Sequence, residues 1–177
     1  MKKTLIIFAF VAGAITVRAG DEAAFQASVT PSLAIQSSST QINGLSLNLW
    51  GENPQSGVAL GFINGSSGDS KGFSWGLYNY DESYTGVQFG IVNYSSKSFI
   101  GWQSSMVNWD QGYFKGVAMG AVNVSQETHG LQMGTFNYAQ QLTGVQLGMI
   151  NIAANNEWFS NFPDQLAKGF VFVNWSF

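Results

Sequence analysis

Seven near-copies of one eight-residue phrase run through this chain: GVALGFIN from Gly57, GFSWGLYN from Gly72, GVQFGIVN from Gly86, GWQSSMVN from Gly101, GVAMGAVN from Gly116, GLQMGTFN from Gly130 and GVQLGMIN from Gly144. The closing Asn recurs every 14 or 15 residues from Asn64 to Asn151. A fixed period is the signature of an architecture made by repetition of one structural unit. It also leaves few residues over for a specific chemistry.

Charge marks the joints between copies. Asp69, Lys71, Asp81, Glu82, Lys97, Asp110, Lys115, Glu127 and the single His129 all lie between phrases and none lies inside one. Each repeat therefore reads as one uncharged strand of eight or nine residues and one polar turn. Side chains alternate across a strand. Val87, Phe89 and Ile91 thus share one bulky face with Asn93, while Gly86, Gln88, Gly90 and Val92 share the other. Later copies repeat the small face as Gly130, Gln132 and Gly134, closed by Asn137, and as Gly144, Gln146 and Gly148, closed by Asn151.

Two all-β architectures use such a pattern. In an antiparallel up-and-down β-barrel the bulky face meets lipid and the Gly/Gln face fills a narrow interior. In a β-solenoid the bulky face turns inward and the Asn residues stack as a ladder at a corner. Strand length favours the barrel: nine residues at roughly 3.3 Å, tilted, span about 23 Å, near the apolar band of an outer membrane. A coil of 14 or 15 residues is short for wrapping an apolar core. The expectation is about ten strands, near residues 25–38, eight repeats over 44–152, and 168–177. The interior of such a barrel is narrow, so no open pore is expected. Against the barrel, the connectors are all alike, and Tyr80, Tyr94, Trp109 and Tyr138 fall on the Gly/Gln parity unless a bulge near each Asn shifts the phase. Residues 153–165 form the one irregular insertion, and its Trp158, Phe159 and Phe162 are candidates for a partner or interface loop.

The N-terminus reads as an export signal. Lys2 and Lys3 precede the apolar residues 5–17, and Val17-Arg18-Ala19 supplies a small residue for cleavage. Residues 1–19 are thus expected to leave, with 20–177 as a single repeat domain. Cysteine is absent, so neither a disulfide nor a lipidated Cys is available. Without Lys2, Lys3 and Arg18, four lysines face ten carboxylates, a balance of −6. That argues against nucleic acid and anionic lipid as partners.

The unit G-[VL]-Q-[LFM]-G-x-[VI]-N, with a polar connector and the ending VFVNWSF, resembles a family of small exported bacterial surface repeat proteins. The match spans roughly residues 44–177. Ala59, Ser74 and Ala118 replace the Gln, Ser105 replaces the second Gly, and the first copy, GLSLNLWG from Gly44, is degenerate. The terminal Phe177, with Val171, Val173 and Trp175 alternating before it, is similar to the last strand of outer-membrane barrels. The resemblance implies an outer-membrane or cell-surface location and membrane lipid as partner; it supplies no activity, and a protein or glycan partner stays unknown.

Chemistry is not legible in the chain. One His and no Cys make no zinc or thiolate set. The adjacent Asp81-Glu82 pair is a charged turn before it is a Ca²⁺ site. The repeat glycines precede no helix that could hold a phosphate. Ser125, His129 and Asp110 have no spacing that supports a hydrolase triad. No catalytic, cofactor or metal residue is assigned. The expectation is a non-enzymatic outer-membrane or surface protein, with a secreted or surface-attached solenoid, a binding module or adhesin, as the alternative.

Overall fold

The computed structural model describes residues 22–177; the signal read in residues 1–19 lies outside them. The repeat period is the strand register. Gly72 pairs with Gly86, Gly86 with Gly101 and Gly101 with Gly116, all in parallel. Each copy therefore lies directly above the one before, and the chain winds as a β-solenoid. The expected antiparallel barrel is overturned by this parallel pairing. A parallel strand returns to the same edge only after a full circuit, and 14 or 15 residues is that circuit.

The elements are β1 (Glu22–Thr30), β2 (Leu33–Ala34), β3 (Gln41–Glu52), β4 (Ser56–Trp75), β5 (Tyr78–Phe89), β6 (Val92–Ser104), β7 (Val107–Ala153) and β8 (Gly169–Ser176). They form one sheet in the order β2-β1-β3-β4-β5-β6-β7-β8. Only the ends are antiparallel: β2 against β1, and β8 against the last coil of β7. The polar connectors read as turns are strand as well. They absorb the alternation of 14 and 15 residues as register shifts, between Ser66 and Asp69 and between Asp81 and Ser83.

Polarity is inverted relative to the expected solenoid. The Gly/Gln face turns inward, and the bulky face turns to the outside. Gln88, Gln103, Gln132 and Gln146 are buried, as are Asn64, Asn79, Asn93, Asn108, Asn123, Asn137 and Asn151, whereas Leu77, Ile91, Met106 and Met149 are exposed. Asn93 and Gln88 both point inward although their parities differ, because the strand bends at Gly90 and Ile91. That bend restores the phase, and Tyr94 and Trp109 accordingly face out.

Hydrogen bonds make a polar interior tolerable, since a buried amide is costly only when unpaired. The Asn79 Nδ2 donates to Asn93 Oδ1 at 2.8 Å and to the Phe89 carbonyl at 2.9 Å. The same two bonds recur at Asn64, Asn108, Asn123 and Asn137. The first coil reaches this ladder by an exchange. Gly51 stands at the Asn position and Asn48 at the glycine position, yet Asn48 Nδ2 donates to Asn64 Oδ1 at 2.9 Å. The degenerate first copy is thus a compensated one.

The second glycine of each unit makes room for this ladder. A Cβ on Gly90 would lie 2.9 Å from Asn79 Nδ2 and 3.0 Å from Asn93 Oδ1. The first glycine is constrained differently. Gly130 has φ 140°, a region closed to most L-residues, and a Cβ there would overlap the Gly116 carbonyl of the coil below. On the far side of the interior, Tyr84, Phe99 and Phe114 stack with ring centroids 5.9 and 6.0 Å apart.

Candidate functional site

Because the interior is one side chain deep and closed, whatever this protein engages meets its outer surface. The strands carry two outward apolar ridges flanking each bend. Leu47, Leu60, Trp75 and Phe89 form one ridge; Leu49, Phe62, Leu77, Ile91 and Met106 form the other. Between them the second glycines Gly61, Gly76 and Gly90, with Ser105, set a low floor. The result is a trough of about 1820 Å³ running along the solenoid axis from β1 to Ala121.

From Leu47 onward its backbone is already hydrogen-bonded. At the bend, Ile91 N–H and Val92 N–H both donate to the Leu77 carbonyl, and Met106 N–H and Val107 N–H both donate to that of Ile91. Gly76 N–H donates to Phe89 O and Gly90 N–H to Ser104 O, each at 3.0 Å. All of these bonds run from coil to coil along the axis. No charged side chain lines the trough. The two exposed charge contacts lie outside its lining, Lys97 with Glu82 at 2.5 Å and His129 with Glu127 at 2.8 Å.

The candidate loop residues Trp158, Phe159 and Phe162 are all exposed, at the C-terminal end of the stack. They pack on β8: Phe159 meets Phe170 edge-on at 5.9 Å, and Phe162 lies 6.3 Å from Trp175. Trp175 Nε1 donates to the Pro163 carbonyl at 2.8 Å, tying loop to strand. The loop and the trough are separate surfaces. Gly86, Gln88, Gly90, Asn93 and their counterparts through Asn151 are scaffold, with Gln and Asn inside and the glycines closing on the coil below.

The residues weighed for catalysis do not meet. Ser125 is buried and bonds Thr128 and Gln132, Asp110 is buried against Gln103, and His129 faces out to Glu127 and the Tyr113 ring. Asp81 and Glu82 diverge, one inward and one outward. Among the described residues no three His, Asp or Glu side chains come together at metal-holding distance.

Two inward carboxyls were not anticipated. Asp81 accepts from Ser95 Oγ at 2.6 Å and from Gln88 Nε2 at 2.7 Å. Burial pushes its carboxyl up to about 7, against the opposing effect of those two bonds. Asp110 is raised well above its ordinary value, again first by burial and further by the Asp81 charge. Neither has a cation partner among the described residues. The Gln88 and Gln103 Oε1 atoms are buried and unpartnered. A protonated acid answers this arrangement, because with the amide turned its O–H donates to that oxygen.

Fold and surface define the class: an all-β solenoid of about 15 residues per coil, with amide ladders inside and apolar ridges outside. No protein-family model matches the chain, and neither a curated protein nor a solved structure is significantly similar to it.

Proposed function

We propose that this protein is an exported, surface-attached β-solenoid that binds rather than catalyses, seated on the outer membrane through its apolar outer faces. One observation carries the reading: within the repeat phrases the Gln and Asn side chains are inside and most of the large apolar ones outside. Water rewards the reverse. Hydrocarbon rewards this one, because a surface facing lipid must have its backbone groups already paired. Coil-to-coil bonding meets that condition along the sides of a solenoid. Outward aromatics such as Trp50, Trp75, Tyr78, Trp102 and Trp109 suit the zone between headgroup and acyl chain. The exposed charge contacts lie outside the trough lining and remain in water.

The expected signal and the resemblance to surface repeat proteins support the same location. Flotation tests the reading. The mature chain, mixed with phosphatidylcholine liposomes in a density gradient, should rise with them equally at low and high salt, since no charge attraction is invoked. Recovery of the protein as a lipid-free soluble species at the bottom of the gradient would overturn it in favour of a secreted adhesin.

A further inference from the structure

We propose that the trough between the Leu60–Trp75–Phe89 and Phe62–Leu77–Ile91 ridges holds the acyl chains of one membrane phospholipid, laid along the solenoid axis. The inference deepens the membrane reading by naming a discrete lipid site. A peptide occupant would bring its own N–H and C=O groups, and these need partners when buried. Strand-addition modes meet that need with an open sheet edge. Here the lining backbone from Leu47 onward is already bonded coil to coil. Only the β1 end at residues 23–25 keeps a free edge, so a peptide laid along the axis would be left unsatisfied over most of its length. A polar or ionic small molecule fares no better, with no charged side chain in the lining.

A second copy of the chain is disfavoured by shape. A two-fold interface centred on the trough sets one concavity against another and leaves a void, against the packing that stable interfaces require. Hydrocarbon needs no hydrogen-bond partner and conforms to irregular walls.

Dimensions agree. The lining crosses six successive coil levels, from Ala27 through Leu47, Leu60, Trp75 and Phe89 to Ser104. At about 4.8 Å per step this is roughly 24 Å, longer than one leaflet's half of the roughly 30 Å hydrocarbon core. The 1820 Å³ volume exceeds the ~300–1,000 Å³ of sites for drug-sized ligands and suits a lipid with two chains. Since no charge lines the trough, the headgroup stays in water, and zwitterionic and anionic phospholipids should bind alike.

The test uses the mature chain in detergent micelles and a phosphatidylcholine nitroxide-labelled at the end of one acyl chain. Methyl NMR should show saturable broadening at about one lipid per chain, centred on Leu60, Leu77, Ile91 and Met106 and sparing Val145 and Ile150. Leu77→Glu with Ile91→Glu alters only exposed side chains, so the circular dichroism should persist while lipid affinity falls about tenfold or more. Lys115→Glu, at an exposed position outside the trough lining, should leave that affinity intact. Unsaturable broadening spread over all outer methyls would overturn the proposal, as would a lipid-free dimer that protects the trough methyls. Flotation separates the two readings. A saturable site without flotation sinks only the bilayer seat, and flotation without a saturable site sinks only the trough.

Discussion

Replacing Asp81 with Asn should remove a pH dependence that the buried carboxyl imposes on folding. In the folded chain the Asp81 carboxyl is raised from its ordinary value of 3.8 to about 7, so between those limits the folded state holds a proton that the unfolded state has released. Stability from this group is therefore fully present below about pH 4, falls as pH rises, and levels off above about pH 7. Three pKa units at 1.36 kcal/mol each make the loss about 4 kcal/mol. Asp110 acts in the same direction, so the two reinforce each other. In Asp81→Asn the side-chain oxygen still accepts from Ser95, and the new amide N–H can donate to a turned Gln88, whose Oε1 has no partner now. The variant should match the parent near pH 4 and exceed it by several kcal/mol at pH 8. Urea denaturation followed by tryptophan fluorescence from pH 4 to 8 measures both. An unchanged slope in Asp81→Asn, or a parent whose stability rises with pH, would refute the reasoning.

Gly134→Val should abolish folding, since even a Cβ there would overlap the Gly120 carbonyl and lie 2.6 Å from Asn123 Nδ2; the yield of protease-resistant protein reads this out. Ser105→Ala should be tolerated at a cost of about 1 kcal/mol, the loss of its 2.8 Å bond to Asn108 Oδ1. Asn108→Ala should cost about 3 kcal/mol or more in urea titrations, because it removes two donated bonds and leaves the Asn93 Nδ2 with only its 3.4 Å bond to the Gln88 carbonyl. Phe99→Ala empties the middle of the Tyr84–Phe99–Phe114 stack and should cost ~3–5 kcal/mol in the same assay.

The period and the Asn ladder were legible because register in a solenoid equals repeat length. Seven in-phase phrases place Asn79 above Asn64 once the strands run parallel, as in the solenoid held as the alternative; the expected antiparallel barrel would not stack them. The aromatic insertion was legible too, since residues 153–165 break the period and carry Trp158, Phe159 and Phe162. Which face turns inward was not. Strict alternation says only that Phe89 and Gln88 are opposed, and the habit of burying the bulkier side chain points the wrong way when amides satisfy one another across a 4.8 Å step. The change of phase at Gly90 was also hidden, because a bend of this kind costs no extra residue. The signal for the trough was nevertheless present. Trp75-Gly76-Leu77 and Phe89-Gly90-Ile91 set one glycine between two large apolar residues in successive coils, the outline of a groove once the parallel register is known. The glycines recurring in phase were likewise visible, but their cause, the Asn ladder and the carbonyl of the coil below, was not.

The Asn ladder has a direction. From Asn48 to Asn151 every amide donates toward the C-terminal end and accepts from the N-terminal side. Aligned amides polarise one another, so the row behaves as a dipole through the length of the stack, with an oxygen pole and an N–H pole. Each pole is neutralised by a non-repeat element. Ser28 Oγ donates to Asn48 Oδ1 at 2.7 Å, and Asn151 Nδ2 meets the Phe170 carbonyl of β8 at 3.3 Å. Coils added or removed in the middle leave both poles answered, whereas truncation at either end exposes one. The number of coils is therefore free to drift over evolutionary time while β1 and β8 are not, and the length of the trough drifts with it.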